Sequence, residues 1–123
     1  MEINDITGEI VRAFMRVHTA LGSGLLEGTY RVCVRYELEN IGLSVQQELA
    51  LPVVYRDVKI ETGYRVDPSV EDAVIVELKS VARLHPLHQA QLLGYLKLRR
   101  RRVGLLINFN VVHLRHGIKR MMI

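Results

Sequence analysis

One cysteine, Cys33, in 123 residues leaves no intrachain disulfide to form. A fold held without cross-links suits a reducing compartment. Long apolar runs are missing as well. The longest, around "VGLLINFNVV", falls far short of the roughly 20 residues that a spanning helix needs. The first residues, "MEINDITGEIVRAF", carry acidic side chains and no basic start followed by an apolar stretch, so no signal peptide is expected. A cytoplasmic location without a membrane partner is the expectation. Gly/Ser or Pro-rich tracts, repeats and low-complexity segments are also lacking. Residues 1–123 therefore read as one domain with no linker. No His or Cys spacing suits zinc: His85 and His88 lack matching partners, and His113 and His116 read as strand or turn residues. Neither a phosphate-cradling Gly loop nor a Ser-His-Asp arrangement is present in the pattern.

What is present is a globular composition, 49% apolar and 24% charged, in a chain long enough to bury a real core. The net charge of +4 is local: "KLRRRR" gathers Lys97, Arg99, Arg100, Arg101 and Arg102. Such a run suits a helix C-terminus facing solvent. It equally suits phosphate groups held through charge and counterion release.

Hydrophobic spacing predicts the elements. Ile6, Ile10, Ala13, Phe14, Val17 and Leu21 form one helical stripe, with Asn4 or Asp5 as cap and Gly22 as stop. A second helix is expected from about Leu25 to Ile41, with the stripe Tyr30, Val34, Leu38 and Ile41, closed by Gly42. "LSVQQELALPVVYRDVKIETGYRVD" reads as strands broken at Pro52 and near Arg56 and Asp57. "AVIVELKSV" is the next strand. "PLHQAQLLGYLKLRR" is a third helix, with Pro86 in its first turn. "RVGLLINF" and "VHLRHGIKRMMI" are two paired strands. The order ααβββαββ predicts an α+β chain, with one helix between strands allowing a parallel crossover and a mixed sheet.

Chemistry enters on the strand at Val74. Alternation puts Val74, Val76 and Leu78 on one face and Ile75, Glu77 and Lys79 on the other. A solvent-facing ion pair explains Glu-x-Lys by itself, and so does a metal ligand beside a lysine. If the hairpin loop is Glu71, Asp72 and Ala73, Val70 pairs with Val74, and the same register sets Asp67 opposite Glu77. Two facing carboxylates repel unless a proton or a cation lies between them, and oxygen ligands suit Mg²⁺ or Mn²⁺. A two-residue turn would instead put Asp67 on the other face, and Asp-Pro is itself a turn signal. His88, Gln91 and Tyr95 share one helix face, as do Glu27 and Tyr30. Cys33, near the second helix's apolar stripe, reads as a small core residue.

Several motifs occur together and in order: "GLLEGTY", "GYRVD", "VIVELK", "HPLHQAQLLGYLKL", "GLLINF" and "GIKR". The chain resembles the GxxExxY protein family, named for the pattern Gly24-x-x-Glu27-x-x-Tyr30, over nearly its whole length. That family is similar to a compact branch of the PD-(D/E)XK nuclease-like superfamily, with a restriction-endonuclease-like core of a mixed sheet flanked by helices. The resemblance implies Mg²⁺- or Mn²⁺-dependent hydrolysis of phosphodiesters in nucleic acid, DNA before RNA. It implies Asp67 and Glu77 as metal ligands, joined by Glu27 and by the carbonyl of Leu78. Lys79 would orient water or stabilise negative charge, Gln91 would position it or a phosphate oxygen, and Tyr95 would support Gln91. Tyr30 and His88 would support the site or meet substrate, and Arg99, Arg100, Arg101 and Arg102 would guide a nucleic-acid backbone. One departure stands out: Pro68 follows Asp67 where the family carries an apolar residue, and it is expected to bend the strand there.

A fold does not by itself give an activity. The competing reading is a nucleic-acid-binding or interaction module on the same fold. The small chain, without a substrate-selecting insert, would then enclose nucleic acid with a second copy or a protein partner.

Overall fold

The stripe Ile6, Ile10, Ala13, Phe14 and Val17 folds as α1, Ile3–Leu21, in the computed structural model of the chain. The structure describes all residues except Glu48 and Asp67, and leaves aside the side chains of residues 49, 51 and 61–66. The cap of helix α1 is Glu2, two residues before Asn4 and three before Asp5, and it makes no side-chain cap hydrogen bond. Asn4 is used elsewhere: its side-chain oxygen accepts from Arg120, 2.8 Å away. Leu21 points outward, 39% exposed, because the chain leaves the core as Gly22 turns with φ 72°. Helix α2, Glu27–Asn40, buries Tyr30, Val34 and Leu38. Ile41 lies past its end and is exposed, and Leu43 takes the buried place beyond the turn at Gly42.

The strands are β1 (Val45–Gln46), β2 (Leu49–Tyr55), β3 (Val58–Val66), β4 (Ser69–Val70), β5 (Val74–Lys79), β6 (Val103–Asn108) and β7 (Ile118–Met122). Helix α3, Pro86–Arg99, connects β5 to β6. Among the described residues, β1-β4-β5-β6-β7 form one five-stranded sheet, and β2 and β3 pair apart from it as a hairpin. The pair β5–β6 is parallel and the other pairs are antiparallel, so the sheet is mixed and the architecture α+β. More strands appear than the expected order ααβββαββ, because the region between α2 and α3 divides into short pieces. Pro52 does not break β2. It sits at a shift in register between Leu51 and Val53, where a missing N–H is tolerated. The segment from Val112 is not strand at first: Leu114–Gly117 is a 3-10 turn, and β7 begins at Ile118.

The sheet buries both faces. Val74, Val76, Leu78, Leu105 and Ile107 pack under α1 and α2 with Ile10, Phe14, Tyr30 and Leu38. Ile75 and Leu106 pack on the other side under Leu92 and Leu96 of α3. Gly104 permits the close approach of α3, since a Cβ there would meet the Leu92 side chain at 2.8 Å. Burial on both sides explains why β5 and β6 read as near-continuous apolar runs, as strands in parallel pairs do. Glu77 and Lys79 lie on the α3 face, beyond Ile75, where the helix begins.

Candidate active site

The hairpin between β4 and β5 has the three-residue loop Glu71, Asp72 and Ala73. Val70 pairs with Val74 and Ser69 with Ile75. The carbonyl of buried Pro68 accepts from the Val76 amide at 3.0 Å, so the proline keeps its place beside β5 through the acceptor it retains. Asp67 itself lies outside the described residues.

At the end of β5 the alternation puts Glu77 and Lys79 side by side. The Lys79 Nζ lies 3.5 Å from a Glu77 carboxylate oxygen, with the Glu77 side chain only 12% exposed. Burial pushes the Glu77 carboxyl above its ordinary range. Lys79 opposes this through its charge and hydrogen bond, the charge of Glu27 adds to it, and Arg31 opposes it. Three charged side chains from β5 and the first turns of α2 thus act on one carboxylate.

Two ties bring Glu27 there. The Tyr30 hydroxyl donates to the Gly22 carbonyl at 2.7 Å and accepts from the Leu25 amide at 3.1 Å, which closes the loop ahead of α2. The Ser80 hydroxyl donates to the Leu25 carbonyl at 2.7 Å, which joins that loop to the end of β5. Tyr30 is fully buried, its ring stacked on Phe109 with centroids 4.3 Å apart. It braces the loop ahead of α2 from within the core. The Glu27 carboxylate accepts from Arg31, one turn on, at 2.8 Å.

Helix α3 starts over the same end of β5. Its first turn is capped by two imidazoles: the His85 Nδ1 accepts from the Leu87 amide at 3.1 Å, and the His88 Nδ1 accepts from the His85 amide at 3.0 Å. An accepting Nδ1 carries no proton, so each neutral ring has its proton on Nε2. Burial lowers the His88 pKa below its ordinary value, the charges of Lys79 and His85 lower it further, and Glu27 opposes them. His88 thus has a cap role and lies within the field of the Glu77–Lys79 corner. Gln91 and Tyr95 share a face as the spacing predicts. With Leu87, Gly94 and Leu98 they line a cavity of about 360 Å³ on α3. Gln91 is exposed, and Tyr95 is half-buried against the Leu92 and Leu96 cluster.

The arginine run is elsewhere. A helix between parallel strands runs back against them, so the end of α3 lies at the start of β5. There Arg99 and Arg101 donate to the two oxygens of Asp72 at 3.0 and 2.8 Å. Val74 and Lys79 are five residues apart on β5, roughly 16 Å. Arg100 and Arg102 are exposed at that same far end. The run therefore sits at the far end of β5 from Glu77, with two of its guanidiniums on Asp72.

Three residues of the site's surroundings escaped the sequence reading. Ser80 and Arg31 are two; the i, i+4 spacing of Arg31 from Glu27 was the available signal for the second. The third is Asn108, 2% exposed at the end of β6. Its amide donates to the Val81 carbonyl at 3.0 Å, and its oxygen accepts from the Val81 amide at 3.1 Å, which holds the chain leaving β5. A polar residue closing the run "GLLIN" was its only mark.

The donor chemistry suits a hard divalent cation. Glu77 and Glu27 offer oxygen only, and a cation between them would relieve both the burial of Glu77 and the repulsion from Glu27. Among the described residues, no cluster of three or more His, Cys, Asp or Glu side chains completes a cage. No helix is long and apolar enough to cross a membrane, among the described residues.

A mixed sheet whose inner strand ends in a buried carboxylate and a lysine, with helices on both faces, defines a nuclease-type core. The sequence matches the PD-(D/E)XK nuclease superfamily over residues 4–121, and the chain belongs to that superfamily. No curated protein and no solved structure matches the chain.

Proposed function

We propose that the chain is a Mg²⁺- or Mn²⁺-dependent nuclease that hydrolyses phosphodiester bonds, with DNA as the first substrate to test. The observation that carries this reading is the Glu77–Lys79 pair at the end of β5, 3.5 Å apart, with Glu77 buried and Lys79 half-buried beneath the start of α3. Glu77 and Glu27 would hold the cation, and the superfamily's pattern of an Asp ahead of Glu-x-Lys supports adding Asp67. When bound, the cation supplies Lewis-acid polarisation of a phosphoryl oxygen.

The remaining work belongs to the chain. Lys79 opposes, by charge and hydrogen bond, the rise that burial causes in the Glu77 carboxyl. Its ammonium has three donors, so it can also orient an attacking water and stabilise charge growing on the phosphate. His88 keeps Nδ1 on the α3 cap and has its Nε2–H left to donate to substrate. Gln91, exposed one turn further along, would position a phosphate oxygen, with Tyr95 packed beside it.

Cleavage of supercoiled, linear and single-stranded DNA and of RNA, in Mg²⁺, Mn²⁺ and EDTA, tests the reading. Wild type is compared with Glu77→Ala purified identically. Cutting that needs the cation and disappears in the variant is expected. Cutting that survives in Glu77→Ala would assign it to a contaminant and remove the proposed site.

A further inference from the structure

At the end of β5, Glu77 has Lys79 at 3.5 Å, and Glu27 has Arg31 at 2.8 Å. A divalent cation that takes Glu27 competes with a guanidinium already bonded to one of its oxygens. Arg31 is not distant from the rest of the corner, since its charge acts on Glu77 as well. Its side chain is 29% exposed, so it has a route to solvent. A guanidinium released from a carboxylate has a natural second partner in a phosphodiester, whose oxygens match its planar fork.

We infer that Arg31 is an exchangeable counter-ion of Glu27, and that it links cation binding to substrate binding. Without nucleic acid it occupies Glu27 and weakens the site for a divalent cation. When a phosphodiester enters, Arg31 turns to it, and Glu27 is free for the cation. Each ligand then strengthens the other by the same factor, as linkage requires. Arg31 acts here as a positioning residue, through Glu27. The inference rests on the metal-site reading above and adds the order in which the charges trade partners.

The test is a calorimetric titration with Mn²⁺ alone, at low salt, on wild type, Glu77→Ala, Arg31→Met and Arg31→Lys, each checked for folding by circular dichroism. Arg31→Met is expected to tighten Mn²⁺ roughly three- to tenfold, the range set by losing one half-exposed pair and one nearby positive charge. Arg31→Lys should stay close to wild type, because the charge remains. The titration is then repeated with a cleavage-resistant phosphorothioate DNA duplex present. The duplex should tighten Mn²⁺ in wild type, and do so much less in Arg31→Met. Unchanged or weaker Mn²⁺ binding in Arg31→Met, while Glu77→Ala abolishes it, overturns the role of Arg31 and leaves the metal site standing. A duplex that does not alter Mn²⁺ affinity in wild type overturns the coupling. No Mn²⁺ bound by wild type removes the metal site itself, and the inference with it.

Discussion

At the start of β5, Asp72 holds two arginines in open solvent; at its end, Glu77 holds one lysine in a buried corner. The Asp72 side chain is 49% exposed and the Glu77 side chain 12%. Both are carboxylates beside cations, yet their acidities move in opposite directions. Hydrogen bonding from Arg101 leads the fall of the Asp72 pKa, whereas burial leads the rise at Glu77. Depth, and not the number of partners, decides the sign. A well-solvated pair is a surface latch between α3 and the hairpin. A poorly solvated pair is a place where a proton or a cation is wanted, which is the usual condition of a reactive site.

The comparison breaks most visibly through activity. Lys79→Met is expected to lower cleavage by about 100-fold or more, and Arg101→Met to leave it within about twofold, measured on the same substrate. If both cations matter equally, the two ends of β5 are not functionally distinct. A pH series on stability sharpens the contrast. The raised value of Glu77 gives stability that is full below its ordinary 4.5 and is lost as pH rises through the folded value. Glu77→Gln should remove that loss. Asp72 works the other way: its contribution is present above 3.8 and is lost as pH falls through its lowered value. Asp72→Asn should thus matter near neutrality and vanish in acid, and denaturant titrations across pH would show either slope. The smallest expected effect lies at the α3 cap. His88→Ala should cost about 1 kcal/mol, as a lost N-cap acceptor does. Since its folded value lies below 6.5, that contribution is present above 6.5 and is lost as pH falls through the folded value. His88→Asn, which can still accept, should keep the cap and lose the pH dependence, read by the same titrations.

The faces of β5 were legible from alternation, and the pairing of Val70 with Val74 from the loop it implied. Both follow from a period-2 pattern with one buried face, which tolerates no slip. Helix α3 was legible for similar reasons, with Pro86 at its start. The arginine run was not, because a charge cluster in sequence says nothing of which end of a sheet it will reach. That follows from the direction of the crossover and from the single acceptor Asp72. The α1 cap was misread at Asn4 because its side chain is claimed by Arg120, far away along the chain. Leu114–Gly117 was misread as strand because Val112, His113, Leu114 and Arg115 alternate apolar and polar as an edge strand does. Arg31 and Asn108 needed three dimensions: one is defined by the carboxylate it meets, the other by the loop it holds.

Asn108 also has a mechanical meaning. It belongs to β6, yet both its amide and its oxygen are fastened to Val81, just past the reactive end of β5. The Lys79 carbonyl accepts from Phe109 at 2.9 Å, a third link between the same two segments. The two central strands are therefore riveted by these three links at the Glu77 end, while solvated ion pairs join α3 to the hairpin at the other. Strain entering at the Glu77 corner would meet that seam first, and any yielding would fall on the helix starts above it.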